Sequence, residues 1–254
     1  MKVIINADDY GWDDETNEAI CKLLSQNSIH STTILANFAT KDSLVQLRQY
    51  PNISTGIHFN LTEGRALSKK EDIYSLTDTD NNFYPLHILL LRCIFGLIKR
   101  EHVLTELKTQ ISFLKDNNIE ISHLDGHQHV HYFPIVSSVV AKYAKPLGIR
   151  KIRSIYVYPA NNLRMKFLKV LHFFGHKKFN QYIMPDILLS SDFIIKNDNI
   201  NKDFHCIEIM AHPRTQNTEK CYLNRAQEFE NLSNNVVDYK LSKYKKCSYW
   251  ELNE

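Results

Sequence analysis

Glycine is scarce in this chain, with 7 residues among 254, well below ordinary usage. Each one therefore marks a place where the backbone needs freedom or close approach. Cysteine lacks any pattern. The five, at positions 21, 93, 206, 221 and 247, form no CxxC pair. An odd, scattered set reads as reduced thiols in a cytoplasmic protein rather than a disulfide framework. Long apolar runs are missing too. The most hydrophobic stretch, Leu86–Ile98, is broken by His87 and Arg92 and is too short to span a bilayer. The opening MKVIINADDYG lacks the long apolar core of a secretory signal. Nor does either charge dominate. Thirty-one Lys and Arg face 28 Asp and Glu, a net +3, too balanced for a dedicated nucleic-acid binder.

What is present is globular material, 43% hydrophobic and 23% charged. That is enough to bury a sizeable core and excludes disorder over most of the chain. The length fits one α/β domain over residues 1–254. Twelve histidines are many for this length, and their placement carries the functional argument.

Short β-like runs alternate with helical patterns. Val3–Ile5, Thr32–Leu35, Ser54–Phe59, Ile119–Leu124, Ile149–Val157 and Cys206–Met210 read as strands. Asp13 and Asp14 offer N-caps for a helix through Leu24. Ser43–Gln49 reads as a short helix. Val103, Leu104, Leu107, Ile111 and Leu114 recur at helical spacing and predict a helix over Glu101–Asp116. Pro134 is placed to open another towards Lys145, and Arg225–Leu232 is a late one. Alternation of this kind predicts a parallel α/β fold, open or closed into a barrel. Two stretches, 65–100 and 161–186, break the alternation and read as excursions from the scaffold.

Four of the predicted strands end on acid/base or metal-binding residue types: Asn6-Ala7-Asp8-Asp9-Tyr10-Gly11, Gly56-Ile57-His58-Phe59-Asn60-Leu61-Thr62-Glu63-Gly64, His123–His131 and Ala211-His212-Pro213. The carboxyl ends of parallel strands share one face, where sites are built. Adjacent buried carboxylates repel, and a divalent cation or a shared proton relieves that. Asp8 and Asp9 are thus site candidates, or one of them caps the following helix. His58 and His212, each taken singly, read equally as structural histidines. His123–His131 holds four histidines and an aspartate, a set suited to first-row metals, or else an incidental His-rich loop. Asp125 can orient a ligating side chain from behind.

In order and spacing, NADDYG, Ser31–Thr33, GIHFNLTEG, HLDGHQHVH and the late AHP resemble the YdjC/ChbG-like carbohydrate deacetylases over most of the chain. The resemblance implies an irregular seven-stranded parallel β/α barrel of the polysaccharide-deacetylase kind. It also implies hydrolysis of an N-acetyl group from an amino sugar, with one divalent metal ion, Mg or Zn. Carried over residue by residue, Asp9, His58 and His127 look like the metal ligands, Asp8 like the catalytic base and His212 like the general acid. Asp125 looks like a residue supporting a ligand.

The stretch Leu163–Phe179 interleaves Arg164, Lys166, Lys169, Lys177 and Lys178 with Phe167, Leu168, Val170, Leu171, Phe173 and Phe174. It reads first as a packed helix with a solvated basic edge. The alternative is an apolar rim shared with Leu86–Ile98 that meets a membrane, a second copy in a homodimer or a lipid-linked sugar. Asp and His at strand ends would also serve a metal-dependent phosphoesterase or a sugar isomerase. Against the phosphoesterase, the chain has no early HxH pair and no evident second full ligand set; against the isomerase, the ligand set has few glutamates. A non-catalytic sugar-binding protein would be expected to lose at least one of the acid/base positions, and none is lost.

Overall fold

The computed structural model describes residues 1–157, 163–197, 200, 203–217 and 224–253. In chain order the elements begin with β1 (Lys2–Tyr10), α1 (Asp14–Ser25), β2 (Ser31–Ile34), α2 (Lys41–Leu47) and β3 (Ser54–Phe59). Then come α3 (Lys70–Ile73), α4 (Leu86–Ile94), α5 (Arg100–Asp116), β4 (Leu124–Gly126) and α6 (Val136–Tyr143). The last are α7 (Leu163–Gly175), β5 (Ile187–Ser190), α8 (Ser191–Lys196), β6 (Cys206–Ala211), α9 (Arg225–Ser233), α10 (Val236–Lys240) and β7 (Lys245–Lys246).

The strands are parallel, in the order β4-β3-β2-β1-β6-β5, with β7 beside the first residues of β1. β1 is central because its side chains suit burial on both faces. Val3, Ile5 and Ala7 enter the main apolar core, while Ile4 meets Cys206, Cys247, Tyr249 and Leu252 in a smaller cluster. Successive side chains alternate faces, so Asn6 and Asp8 share the face of Ile4, towards the curled sheet's interior. Asp13 caps α1 by accepting from the Thr16 N–H at 2.9 Å. Asp14 is the first helical residue, next to Glu15, where an acid suits the helix dipole. Thr40 and Ser43 form a reciprocal capping box on α2.

The sheet is a partial barrel, and the segment expected to be a strand over Ile149–Val157 explains why. It makes only isolated bridges, Leu124↔Ile152 towards β4 and Val157↔Leu188 towards β5, with Lys151↔Ile183 between. The fully buried Arg153 sits in it. This side chain needs acids around it, and residues 153–156 take no regular ladder. The strand expected over Ile119–Leu124 is also displaced. Ser122 and His123 still bond β3, but the ladder proper is Leu124–Gly126, ending at a turn where Gln128 and His129 have φ of 52° and 61°. β1 runs beyond the expected Val3–Ile5, through both aspartates. α6 begins at Val136, two residues after Pro134.

The two excursions are helical. Residues 65–100 contain α3 and α4, and 161–186 contain α7; residues 161 and 162 of that excursion, the Arg164 side chain and Cys221 lie outside the described residues. β5 and β7 were not legible as strands. α7 buries Leu168 and Leu171 and exposes Val170, Phe173 and Phe174. Among the described residues no helix is long and apolar enough to cross a membrane.

Candidate metal centre and active site

Asp8 and Asp9 are neighbours on a strand, so regular pleating would send them to opposite faces. The backbone prevents this. Asp9 has φ of 70°, and the β1–β2 register shifts between Ala7 and Tyr10. Aspartate tolerates the left-handed region better than most residues. The irregularity brings both carboxylates into one buried space.

Asp9 Oδ1 lies 3.3 Å from His58 Nε2 and 3.0 Å from His127 Nδ1. His58 comes from β3 and His127 from the turn after β4. The register His58↔Asp125 sets the Asp125 carboxylate 2.6 Å from His58 Nδ1. A proton shared on that side leaves Nε2 open towards Asp9, the arrangement that orients metal-binding imidazoles. Thr33, from β2, donates to Asp125 Oδ2 at 3.1 Å.

The three expected ligands therefore converge, and their geometry fits a cation. Ligand atoms about 2.1 Å from one ion stand roughly 3.0–3.4 Å apart at right or tetrahedral angles, the separations seen between Asp9 and each imidazole. Asp9, His58 and His127 offer donor atoms all within 4.8 Å of one another. His127 Nε2 has no close partner, the nearest acceptor being Glu63 Oε1 at 3.5 Å. Asp8, His58 and Asp125 form a second such group, but Arg153 already holds Asp8 and Asp125.

Arg153 organises the interior below. Its Nη1 and Nη2 donate to Asp8 at 2.6 and 2.7 Å, its Nε to Glu208 at 2.9 Å, and Nη1 lies 2.8 Å from Asp125. Tyr249 donates to the other Glu208 oxygen at 2.6 Å. A fully desolvated guanidinium is tolerable only with such pairing. Sequence reasoning passed over Arg153, Glu208 and Tyr249. A usable signal was there only for Glu208, a single charge in the apolar run CIEIMA, whereas Arg153 is one of three basic residues in IRKIRSIYV. In the sequence Glu63 stands out only as part of GIHFNLTEG, and Arg225, whose guanidinium lies 3.1 Å from Asp9 Oδ2, only as the start of a helix.

His212 follows β6. Its Nε2 lies 3.7 Å from Asp8 Oδ2, and its backbone N–H donates to Glu228 on α9 at 2.8 Å. Asp125, expected as a support, holds the imidazole of His58 and also pairs with Arg153.

Burial opposes charge throughout the site, and neighbours decide the outcome. Burial raises Asp8, yet the Arg153 guanidinium outweighs it and holds the carboxyl well below the usual range. Asp9 is likewise buried and held low by His127 and His58. Burial lowers His58, but Asp125, Asp9 and Asp8 carry it up to about 10. His127 is raised by Asp9 against its own burial. Asp9 is thus faced by His58, His127 and the Arg225 guanidinium, and a cation bound there must displace any proton held on the ligating imidazole nitrogens. His212 goes the other way. Burial brings it down to about 4 and outweighs Asp8 and Asp9, so it rests neutral.

Comparison with known proteins identifies the family and the fold. The family model described as YdjC-like protein matches residues 2–243. A Clostridium beijerinckii protein named carbohydrate deacetylase is 29% identical over 246 residues, covering 93% of each chain. One of the same name from Brevibacillus brevis is 28% identical, covering 84% of this chain and 81% of its own. Among solved structures, an Enterococcus faecalis protein described as a candidate cellobiose-phosphate cleavage protein superposes with a TM-score of 0.79 at 20% identity, over 100% of this chain and 99% of its own. A Streptococcus mutans CE4 esterase superposes with a TM-score of 0.52 at 14% identity, over 97% of this chain and 84% of its own. The structural likenesses are of fold, and the sequence match over nearly the whole length is of family. The chain belongs to the YdjC-like family.

Proposed function

We propose that this protein is a metal-dependent carbohydrate N-deacetylase, hydrolysing an N-acetyl group on an amino sugar or small oligosaccharide to acetate and a free amine. The observation that carries this reading is the meeting of Asp9, His58 and His127 around one point, with Asp8 and His212 beside it. The carbohydrate deacetylase name of its relatives supplies the substrate class.

An amide needs an activated water, a stabilised oxyanion and a proton for the departing amine. Asp9, His58 and His127 would hold one divalent ion, Mg or Zn. When bound, it supplies Lewis acidity towards the acetyl carbonyl and eases deprotonation of water. Asp8 takes the water proton. Arg153 fixes both Asp8 oxygens and limits their basicity, while lone pairs remain to accept. His212, across from Asp8, gives a proton to the nitrogen. Resting neutral, it receives the proton that Asp8 has taken from water, the two side chains standing 3.7 Å apart, and passes it to the departing amine, so that water's proton ends on the nitrogen. Asp125 keeps the His58 ring in place.

The reading extends to one catalytic domain over residues 1–254, supported by a single large apolar cluster and a family match over 2–243. It includes a cytoplasmic setting, supported by four free buried cysteines among the described residues. Self-association as a homodimer is consistent with the exposed Phe95 on the α4 side and Phe173 on α7.

The test is acetate release from a panel of N-acetylated sugars by metal-stripped and metal-restored protein. Release that depends on metal supports the reading. Metal-loaded protein that binds these sugars yet frees no acetate would make it a binding protein instead.

A further inference from the structure

His212 and His129 line a cavity of about 280 Å³ whose other walls the deacetylation chemistry does not use. Met165 and Leu168 of α7 form one wall, Leu188 and Leu189 of β5 another, with Phe193 and Met210 completing it. The volume is roughly twice that of an apolar cavity able to hold a benzene ring. The methyl of an acetyl group would fill a small part of it.

The polar side chains at its edge already serve the fold. The Ser190 hydroxyl accepts from the Phe193 N–H at 3.2 Å. The Asn224 amide oxygen accepts from the Gln227 N–H at 3.1 Å. Glu228 receives the Ser191 hydroxyl on one oxygen and the His212 N–H on the other. Asp192 stands at the rim, largely exposed. Away from the two histidines, sugar hydroxyls would meet mostly apolar walls or acceptors in use, and losing water there without replacement bonds is unfavourable. An apolar chain would lose nothing.

Resting on the deacetylase reading above, we infer that the substrate carries an unbranched apolar chain, seated between α7 and the ends of β5 and β6 while its amide lies between His212 and the metal ligands. The chain is either an alkyl aglycone on the sugar or an N-acyl group longer than acetyl. The shared chemistry is a run of methylenes leading away from the reacting amide. Each methylene fully buried there strengthens binding by about fourfold.

The test compares two series at fixed metal concentration. One is the methyl, butyl and hexyl β-glycosides of N-acetylglucosamine. The other is N-acetyl, N-butyryl and N-hexanoyl glucosamine. The expected result is a rise in kcat/KM of at least about tenfold from the shortest to the longest member of one series. A rise in the glycoside series assigns the chain to the aglycone, and a rise in the N-acyl series to the group removed. In Met165→Trp the long-to-short ratio falls to within about twofold, because the indole fills the cavity. Hexyl glucoside, which has no amide, competes with substrate in the wild type where methyl glucoside does not, a readout needing no variant. Flat kcat/KM along both series with no competition by hexyl glucoside overturns the inference while acetate release still upholds the deacetylase. If no acetate appears from any sugar, calorimetric binding of hexyl against methyl glucoside still decides. At least tenfold tighter binding supports the cavity's role, and equal binding overturns it.

Discussion

Asp8 Oδ2 is shared between two residues of opposite duty: Arg153 Nη1 donates to it at 2.6 Å, and His212 Nε2 stands 3.7 Å away. The carboxylate is locked on one side by a permanent cation and open on the other to an imidazole that gains and loses a proton. Asn at this position keeps the shape and loses the charge. Asp8→Asn should retain metal and lose about 10²–10⁴-fold in turnover. Near-normal acetate release with full metal occupancy would remove Asp8 as the base.

Arg153 balances three buried acids, so its loss is a matter of folding before catalysis. Arg153→Met leaves Asp8, Asp125 and Glu208 without their partner and should destabilise by about 3–5 kcal/mol. Urea unfolding of the variant measures this, and an unchanged midpoint would show that the acids are paired elsewhere.

The metal site predicts its own stabilisation. Ion bound only to the folded chain at about 100 times its Kd adds roughly 2.7 kcal/mol. Stripping with a chelator should lower Tm, and restoring Zn or Mg should recover it. In His127→Ala both shifts should shrink towards zero. A chelator effect of the same size in that variant would place the ion somewhere else.

Glu228 gives a pH dependence away from the ligands. Burial raises its carboxyl from 4.5 up to about 7. The folded protein then holds more protons than the unfolded one between those values, so this contribution is full below about pH 4.5 and lost as pH rises through 7. Glu228→Gln removes the titration. The drop in unfolding free energy between pH 4.5 and 7.5 should be smaller in the variant by up to about 3 kcal/mol. Parallel curves for the two proteins would show that Glu228 titrates normally.

The parts of the site that recur as local patterns were visible in the sequence. Strand ends carrying Asp9, His58, His127 and His212 could be picked out because parallel topology turns such ends to one face. Gly56 stands out by rarity and by its place in a strand-end motif, and the reason is a close approach: a Cβ there would come within 2.4 Å of the His123 ring. What stayed hidden depends on three-dimensional pairing. Arg153 lies 145 residues from Asp8, and no periodicity links them. The segment around Arg153 has the composition of a strand, but the burial of its guanidinium overrides the ladder. β5 is only four residues long and β7 two, too short for alternation to register. The left-handed Asp9, which lets adjacent acids share one cavity, cannot be told from an ordinary strand residue by type.

The buried charge cluster also has an order in time. Synthesis delivers Asp8 first, Asp125 much later, the arginine that neutralises both at 153, and the last contributors, Glu208 and Tyr249, later still. A ribosome that has made only the first four strands has therefore produced acids meant for a dry interior and no guanidinium to accompany them. The central strand cannot close over its own carboxylates until its neighbour β6 and the segment around 153 have emerged. Such a nascent chain must keep that half of the sheet open to water, and its folding is governed by contacts of long sequence separation, the slow class. Conditions that stall translation before residue 153 should thus expose this protein to chaperones and proteases more than a stall after Tyr249 has emerged.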